Sequence, residues 1–590
     1  MTTILDHQDG KLVLVCSDRL IDLVKQVPGY KFDYKEDNWK APASPLTVNA
    51  TWEVFQGVVD PTSDLLAYME KVKHNSFTWG RIAAGAYRED DDGNEDLWLP
   101  QRDGVQFLSH VKLAYLCDEM GAGKTAQSLR ALENQAEFES DSPFPALVVC
   151  NKSAMHNWPD EVNKWTPDIQ VYVIDGTTKK REELIAEART ESEAGQNVVI
   201  VINWEALHTS GTGRKHTRLA AYGGLALSDI QKTDGSLNGG WIKSVIADEA
   251  HKAKSWRSTR TRALWSVAHE SQVINRWAIT GTPLTGAYED LWAIGHFVDP
   301  DSFPLKTKFM ARYTIQTVGY HGGLETHGWN PAHEEELMSY FKTRFLRRTK
   351  RDMRGSDYLG KLPPVVRTVR MEGKQKTAYN RMKKEMIAED EGTVFAAGSD
   401  VELHIRLGQF SAGTPVIEDV EGVMRITGLQ KPSCKLNALM EILAEAGDQQ
   451  LVVFSESRLL LTLVASELSD KGYTYGEIHG NIGGLERQAS VEAFQANNLQ
   501  VMLCSYAAGA ESINLNSAHH LVRLQWTNNY VHWKQAPDRL DRGEQNHWIQ
   551  ITDIVTEGAA EHVIHENIDA KGKLARSLDD PDFQKELLNA

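Results

Sequence analysis

Cysteine is scarce in this 590-residue chain: five residues, at 16, 117, 150, 434 and 504, with no CxxC pair. Their scatter excludes a disulfide framework and a cysteine-built zinc site, and it points to a reducing interior. Cys117 and Cys150 sit in apolar, strand-like runs and are expected in the core. The 20 histidines show no zinc-ligand spacing either. No apolar run approaches the ~20 residues of a membrane span, and the opening MTTILDHQDGK lacks a secretory signal's basic-then-apolar order. The expectation is a cytoplasmic protein with no membrane contact. Positive charge is also short, the net charge being −17. Such a chain is repelled by polyanions at long range, so any DNA binding must come from local basic patches. The 41% hydrophobic and 25% charged content suits buried cores, and the length suits about three or four domains.

The richest stretch is Leu113–Thr125, LAYLCDEMGAGKT. A short apolar run leads into a glycine-rich turn, and helix formers follow from Ala126. Gly121 and Gly123, flanking Ala122, let backbone N–H groups converge on phosphate oxygens. Lys124 brings a point charge to the β/γ-phosphates, and the Thr125 hydroxyl can hold Mg²⁺. Asp118 stands where the eight-residue phosphate-loop pattern has its first glycine. Alone, the stretch also reads as a Gly/Lys turn on a surface loop.

Along the chain, residues 1–88 read as a small N-terminal α+β module: a strand at 12–16, a helical stretch at 18–27, then turns flanking a short strand at 27–42. Glu89–Asp96 carries six carboxylates in eight residues and reads as a solvated boundary. Over 97–300, buried strand-like runs (ALVVC, VYVI, NVVIVI, SVIAD, RWAIT) alternate with helical patterns, interrupted by a Gly/Ser-rich insertion at 210–240. That alternation argues for a parallel sheet covered on both faces. Residues 301–431 read as mainly helical. The alternation resumes over 432–590 with LVVFS, YGEIHG, VMLCS and HLVRLQ.

Asp248-Glu249-Ala250-His251 ends the strand VIAD, 124 residues after Lys124. A carboxylate at a strand's C-terminal edge lies where ligands bind in such sheets. Asp248 is expected to hold Mg²⁺ and Glu249 to polarise the attacking water. A lone string of this kind is also a common helix N-terminus enriched in acids. Further on, Gln535, Arg539, Arg542 and Gln545 recur three to four residues apart, a spacing that predicts one shared helix face. Two guanidiniums there could stabilise a transferring phosphoryl group, or pair with Asp538 and Asp541 on an exposed salt-bridged helix.

Taken in order, DEMGAGKT, DEAH and AITGTPLTGAYEDLW (278–292) resemble the Swi/Snf-type branch of superfamily 2 helicase-like ATPases. LWLPQRDGV (97–105) resembles the segment whose glutamine, Gln101, contacts adenine. LVVCNKSAMHNWPDEVNKW (147–165) resembles a strand and loop touching DNA backbone. FLRRTK (345–350) with LPP (362–364) resembles the signature between the two lobes, and HGNIGGLERQ, SYAAGAESINLNSA and QAPDRLDRGEQ resemble the second-lobe motifs. Ala510, Ser512, Asn528-Asn529-Tyr530 and the order Gly543-Glu544-Gln545 depart from the family pattern. Residues 27–42, with Pro28, Tyr30, Asp33, Trp39 and Pro42, are similar to the repeat of HARP-type annealing helicases, which recognises fork-like DNA; the alternative is a wing that props up the first lobe.

The resemblance implies an α/β fold of two RecA-like parallel-sheet lobes with a helical insertion and the small N-terminal module. It implies ATP and Mg²⁺ as cofactors, with Gln101, Gly121, Ala122, Gly123, Lys124, Thr125 and Gln535 around the nucleotide. Lys124, Asp248, Glu249, Arg539 and Arg542 are then the catalytic set, and Thr125 and Asp248 the metal ligands. The implied activity is a DNA-dependent ATPase translocating on duplex DNA, sequence-independently, with fork remodelling or reannealing as its use. A strand-separating helicase, a protein-evicting translocase and a non-enzymatic DNA-binding scaffold are the alternatives. Missing chromatin-reading modules favour a bacterial or phage protein acting in DNA repair or a related pathway, as a monomer, with a protein partner open. The run Arg344–Arg354, six Lys/Arg in eleven residues, is expected to touch DNA or lie between the lobes, so that charge reversal at Arg347 and Arg348 should weaken DNA-stimulated turnover. Of the 16 tryptophans, those near the motifs, Trp158, Trp165, Trp204, Trp256 and Trp292, are expected mostly in the core.

Overall fold

The computed structural model describes residues 4–8, 11–16, 18–25, 27, 30–43, 45–55, 61–69 and 568. It also describes 96–561 except 139–140, 208–240, 270–271, 283–287, 319–323, 356–357, 391–392, 397–399, 422, 510–512, 543–546 and 560. The acidic run over 89–95, the 210–240 insertion, Pro28, Ala510, Ser512 and Gln545 lie outside the described residues. Those described divide into two compact units, one reaching Met353 and the other spanning Arg354–Lys573.

The first unit opens with strands β1 (Ile4–Gln8), β2 (Lys11–Val15), β3 (Lys31–Asp33) and β4 (Asn38–Pro42), an antiparallel sheet ordered β1-β2-β4-β3. Alternation places Leu12 and Leu14 on one face. There they pack with Leu5, Val24, Tyr30, Val48 and Phe55 into a small core of their own. The helix Pro45–Phe55 packs on the helix Glu334–Lys342 of the same unit. This is the contact expected of a wing supporting the first lobe.

Seven parallel strands follow: β5 (Leu113–Leu116), β6 (Ala146–Cys150), β7 (Gln170–Val173), β8 (Val198–Asn203), β9 (Ser244–Asp248), β10 (Asn275–Ile279) and, after the antiparallel hairpin β11 (Thr314–Val318) and β12 (Leu324–Trp329), β13 (Phe345–Leu346). Their order is β13-β5-β10-β9-β6-β8-β7. Strands β6 and β8 are buried at every residue, as continuous Val/Ile/Leu runs demand when helices cover both faces. Two hydrophobic clusters, one per face, fill the space, with Cys117 and Cys150 inside them as expected. Each fully buried leucine or valine there contributes about 1.5–3 kcal/mol.

In the second unit β14 (Val365–Val369) joins β19 (Leu451–Ser455), β20 (Tyr475–Ile478), β21 (Val501–Ser505), β22 (His520–Arg523) and β23 (Gln550–Thr556) in a parallel sheet ordered β14-β23-β22-β19-β21-β20. Between them lie two hairpins, β15 (Ile387–Asp390) with β16 (Thr393–Ala396), and β17 (Thr414–Val420) with β18 (Val423–Gln430). The expected α/β architecture with two parallel sheets holds. The mainly helical reading of 301–431 needs correction, because its helices alternate with three hairpins and it supplies a strand to each parallel sheet. The cause is that β13 is two residues long and β14 leaves Val365 and Val366 half exposed, so neither carries a buried-strand pattern.

Candidate functional site

In the first unit the C-terminal ends of β5, β10 and β9 are level: Leu116 pairs with Ile279, and Ile279 with Asp248. The loops that follow, 117–123, 280–282 and 249–251, therefore emerge together at one edge. Gly121 and Gly123 adopt φ of 81° and 74°, a backbone region that side-chain-bearing residues rarely occupy. A Cβ on Gly123 would also meet the Gln101 amide nitrogen at 2.3 Å. The helix Lys124–Phe138 starts at Lys124, so the N-terminal turn presents the Thr125 side chain beside the loop.

Gln101 is buried at the first turn of the helix Leu99–His110, whose start Pro100 favours. Its Oε1 accepts from the Trp98 N–H at 3.0 Å, and its Nε2 donates to the Ala122 carbonyl at 3.2 Å. Gln127 Nε2 donates to the same carbonyl at 3.0 Å. Lys124 Nζ curls over the loop and donates to the carbonyls of Asp118 and Glu119 at 2.7 and 3.0 Å. The structure thus brings Gln101, Gly121, Ala122, Gly123, Lys124 and Thr125 together.

Asp248 has its pKa pushed up to about 7, first by burial and then by the adjoining Glu249 carboxylate, with Lys124 pulling the other way. Its carbonyl accepts from the buried Trp204 indole at 3.0 Å, so Trp204 is a core and positioning residue unavailable for base stacking. Glu249 holds φ 53°, ψ 51°, a left-handed conformation costing about 1–3 kcal/mol that the fold around it must impose. His251 Nδ1 lies 3.2 Å from Glu249 Oε2 and 3.1 Å from Thr280 Oγ1, tying the carboxylate to the neighbouring loop.

The boundary between the two units, after Met353, falls inside the basic run, in keeping with a place between the lobes, whereas its reading as a DNA-facing surface needs correction. Arg347 donates to the carbonyls of Cys117 and Gly281, Arg348 forms a two-pronged ion pair with fully buried Asp118, and Arg344 lies 4.7 Å over the Tyr340 ring. Lys350 is buried, Arg354 reaches Asp541 at 3.9 Å, and of the six only Arg351 is exposed. Charge reversal at Arg347 and Arg348 would dismantle the phosphate loop before it altered a DNA surface. The sequence signal was present: an aspartate where a glycine is usual needs a cation if buried, and FLRRTK holds one.

The arginine motif is also corrected. Gln535 ends the helix Tyr530–Gln535; Pro537 has no N–H to continue it, and a 3₁₀ turn, Pro537–Arg539, follows. Gln535 and Arg539 are buried, Arg542 lies beyond the turn, and no single helix face carries them. Asp538 pairs with Lys361, and Asp541 accepts from the Tyr358 hydroxyl and lies 3.6 Å from Lys361. The aspartates are thus held by the segment after the first unit, and the exposed salt-bridged helix is excluded.

The comparisons converge on these elements. The model of the SNF2-related domain matches residues 100–406, just over half of the chain. The chain belongs to the SNF2-related family. The helicase conserved C-terminal domain matches residues 434–544 of this SNF2-related chain. The ISWI chromatin-remodeling complex ATPase ISW1 of Saccharomyces cerevisiae is 26% identical over 497 residues, 80% of this chain and 40% of its own length. The SWI/SNF-related matrix-associated actin-dependent regulator of chromatin subfamily A member 1 of Mus musculus is 26% identical over 482 residues, 78% of this chain and 41% of its own. The chain spans about two fifths of the length of such relatives. A solved Sulfolobus solfataricus SWI2/SNF2 ATPase core in complex with dsDNA is similar at 18% identity and a TM-score of 0.35, over 82% of this chain and 92% of that one.

Proposed function

We propose that the chain is a DNA-dependent ATPase that moves along duplex DNA. What carries this reading is the meeting at one sheet edge of a lysine-bearing phosphate loop, a glutamine hydrogen-bonded to that loop and the Asp248–Glu249 pair. Lys124 and the loop N–H groups bind the phosphates, and Glu249, aimed by His251, orients water. Arg539 and Arg542 supply charge to the phosphoryl transition state, with Gln535 in the same motif. Mg²⁺ fits the donor set: hard oxygens from Thr125 and Asp248, next to a second carboxylate whose repulsion a cation relieves. Bound there, it would neutralise phosphate charge. No helix among the described residues is long and apolar enough to cross a membrane.

The duplex partner is supported by family membership and by relatives named as chromatin-remodelling ATPases. The finer reading, fork remodelling or reannealing through a HARP-like N-terminal module, rests on the 27–42 resemblance alone. In that module Tyr34 is 90% exposed beside the Phe32–Trp39 pair, while Tyr30 is buried in its core.

The test is steady-state ATP hydrolysis with no DNA, single strands, blunt duplex and a model fork at one fixed salt concentration. Stimulation by duplex and fork but not by single strands, absent in Glu249→Gln, is the expected result. Best stimulation by single strands would replace the duplex translocase with a strand-separating helicase. A fork preference lost in Tyr34→Ala would support the annealing reading.

A further inference from the structure

Arg348 touches more of the nucleotide site's framework than an ion pair needs. Its Nε and Nη2 meet the two Asp118 oxygens at 3.1 and 2.5 Å, and its own backbone N–H donates to Asp118 Oδ1 at 2.9 Å. Nη2 also donates to Gln127 Oε1 at 2.8 Å, and Nη1 to the Pro100 carbonyl. Pro100 adjoins Gln101 at the start of that helix, Asp118 begins the phosphate loop, and Gln127 belongs to the first turn after it. Gln101 and Gln127 then meet on the one Ala122 carbonyl inside the loop. The space for this cluster exists because residue 104 is glycine: a Cβ there would sit 1.7 Å from Gln127 Oε1 and 2.8 Å from Arg348 Nη2.

We infer that Arg348 is a positioning residue that sets the register between base and phosphate recognition, and hence the preference for adenine over guanine nucleotides. A guanidinium does this where an ammonium would not, because its planar fork grips Asp118 with two nitrogens and still reaches the Gln127 amide and the Pro100 carbonyl. Lysine can satisfy the charge of Asp118 but not hold three elements at fixed spacing. The inference rests on the reading of this site as an ATPase.

The experiment compares wild type, Arg348→Lys and the paired change Asp118→Asn with Arg348→Gln in the full chain, measuring kcat and KM for ATP and GTP alongside the thermal midpoint. The paired change avoids stranding a buried charge. Expected is a rise in KM for ATP of about tenfold with KM for GTP nearly unchanged and kcat within about threefold, the pattern of lost ground-state positioning. Arg348→Lys should show the same collapse of selectivity with the midpoint close to wild type. An unchanged ATP-to-GTP ratio, or equal losses on both nucleotides that track a fall in the midpoint, would overturn the inference and leave Arg348 a structural brace. A wild-type chain that hydrolyses neither nucleotide, with or without DNA, would instead sink the ATPase reading and this inference with it.

Discussion

Asp118 and Asp248 stand at the same edge of the seven-stranded sheet, one just after β5 and the other ending β9, with β10 between them. Asp118 is sealed from solvent and held by the Arg348 fork and the Gln127 amide. Asp248 has a second carboxylate for a neighbour, and its pKa rises to about 7. The two differ in what their surroundings compensate. A buried carboxylate that meets a guanidinium serves the framework, whereas one crowded by like charge is poised to take a cation or a proton. The segment beginning at Phe345 repeats the first arrangement in the second unit, where Lys361 and Tyr358 hold the aspartates flanking Arg539.

Turnover separates the two aspartates most sharply. Asp248→Asn should cut ATP hydrolysis by roughly a thousandfold, about 4 kcal/mol of barrier, while the chain stays folded. Asp118→Asn should lose mainly stability, and steady-state rates taken below its unfolding midpoint would break the comparison if they fell as far. Next in size, Arg348→Met strands a buried charge and should destabilise the first unit by roughly 3–5 kcal/mol. A urea midpoint within error of wild type would mean that the pair does no structural work.

Titration sharpens the contrast through groups whose burial outweighs any compensating charge. His269, whose Nε2 lies 2.8 Å from the His296 carbonyl oxygen, has its pKa pushed down to about 4, first by burial and then by His296. The unfolded chain protonates near pH 6.5 and the folded one only near 4, so stability holds above 6.5 and drains away as pH falls between these values. The loss should approach about 3 kcal/mol at pH 4 and be absent in His269→Gln. Asp248 runs the opposite way. Its folded pKa is raised, so its contribution is full below pH 3.8 and is lost as pH climbs through 7. Denaturation midpoints of Asp248→Asn should therefore match wild type in acid and exceed it at pH 8. The smallest effect belongs to exposed charge: Arg367, paired with Glu441 and Glu445 at the surface, should cost less than about 1 kcal/mol as Arg367→Ala, read from the same denaturation curves.

Much was legible from residues alone. Runs such as ALVVC and NVVIVI in the first unit and LVVFS and VMLCS in the second are apolar on both faces, the pattern of strands covered on both sides, and their alternation with helical patterns made the two sheets legible. The phosphate loop and the strand-ending Asp248 were legible too, because glycines at left-handed positions and a carboxylate at a strand's end are local facts. The roles of Arg347, Arg348, Asp538 and Asp541 were not. Their partners lie far along the chain, 230 residues in the case of Arg348 and Asp118, and the pairing exists only because β13 docks beside β5. Charge counted along a sequence is blind to that register, so a run of arginines reads as a surface for DNA or for the other lobe. The break at Pro537 likewise turned an apparent helix face into two directions. Spacing along the chain thus determined which elements form and where phosphate chemistry sits. Which charges are buried against which was decided only by tertiary contact, because a buried charge persists only where its partner is already held.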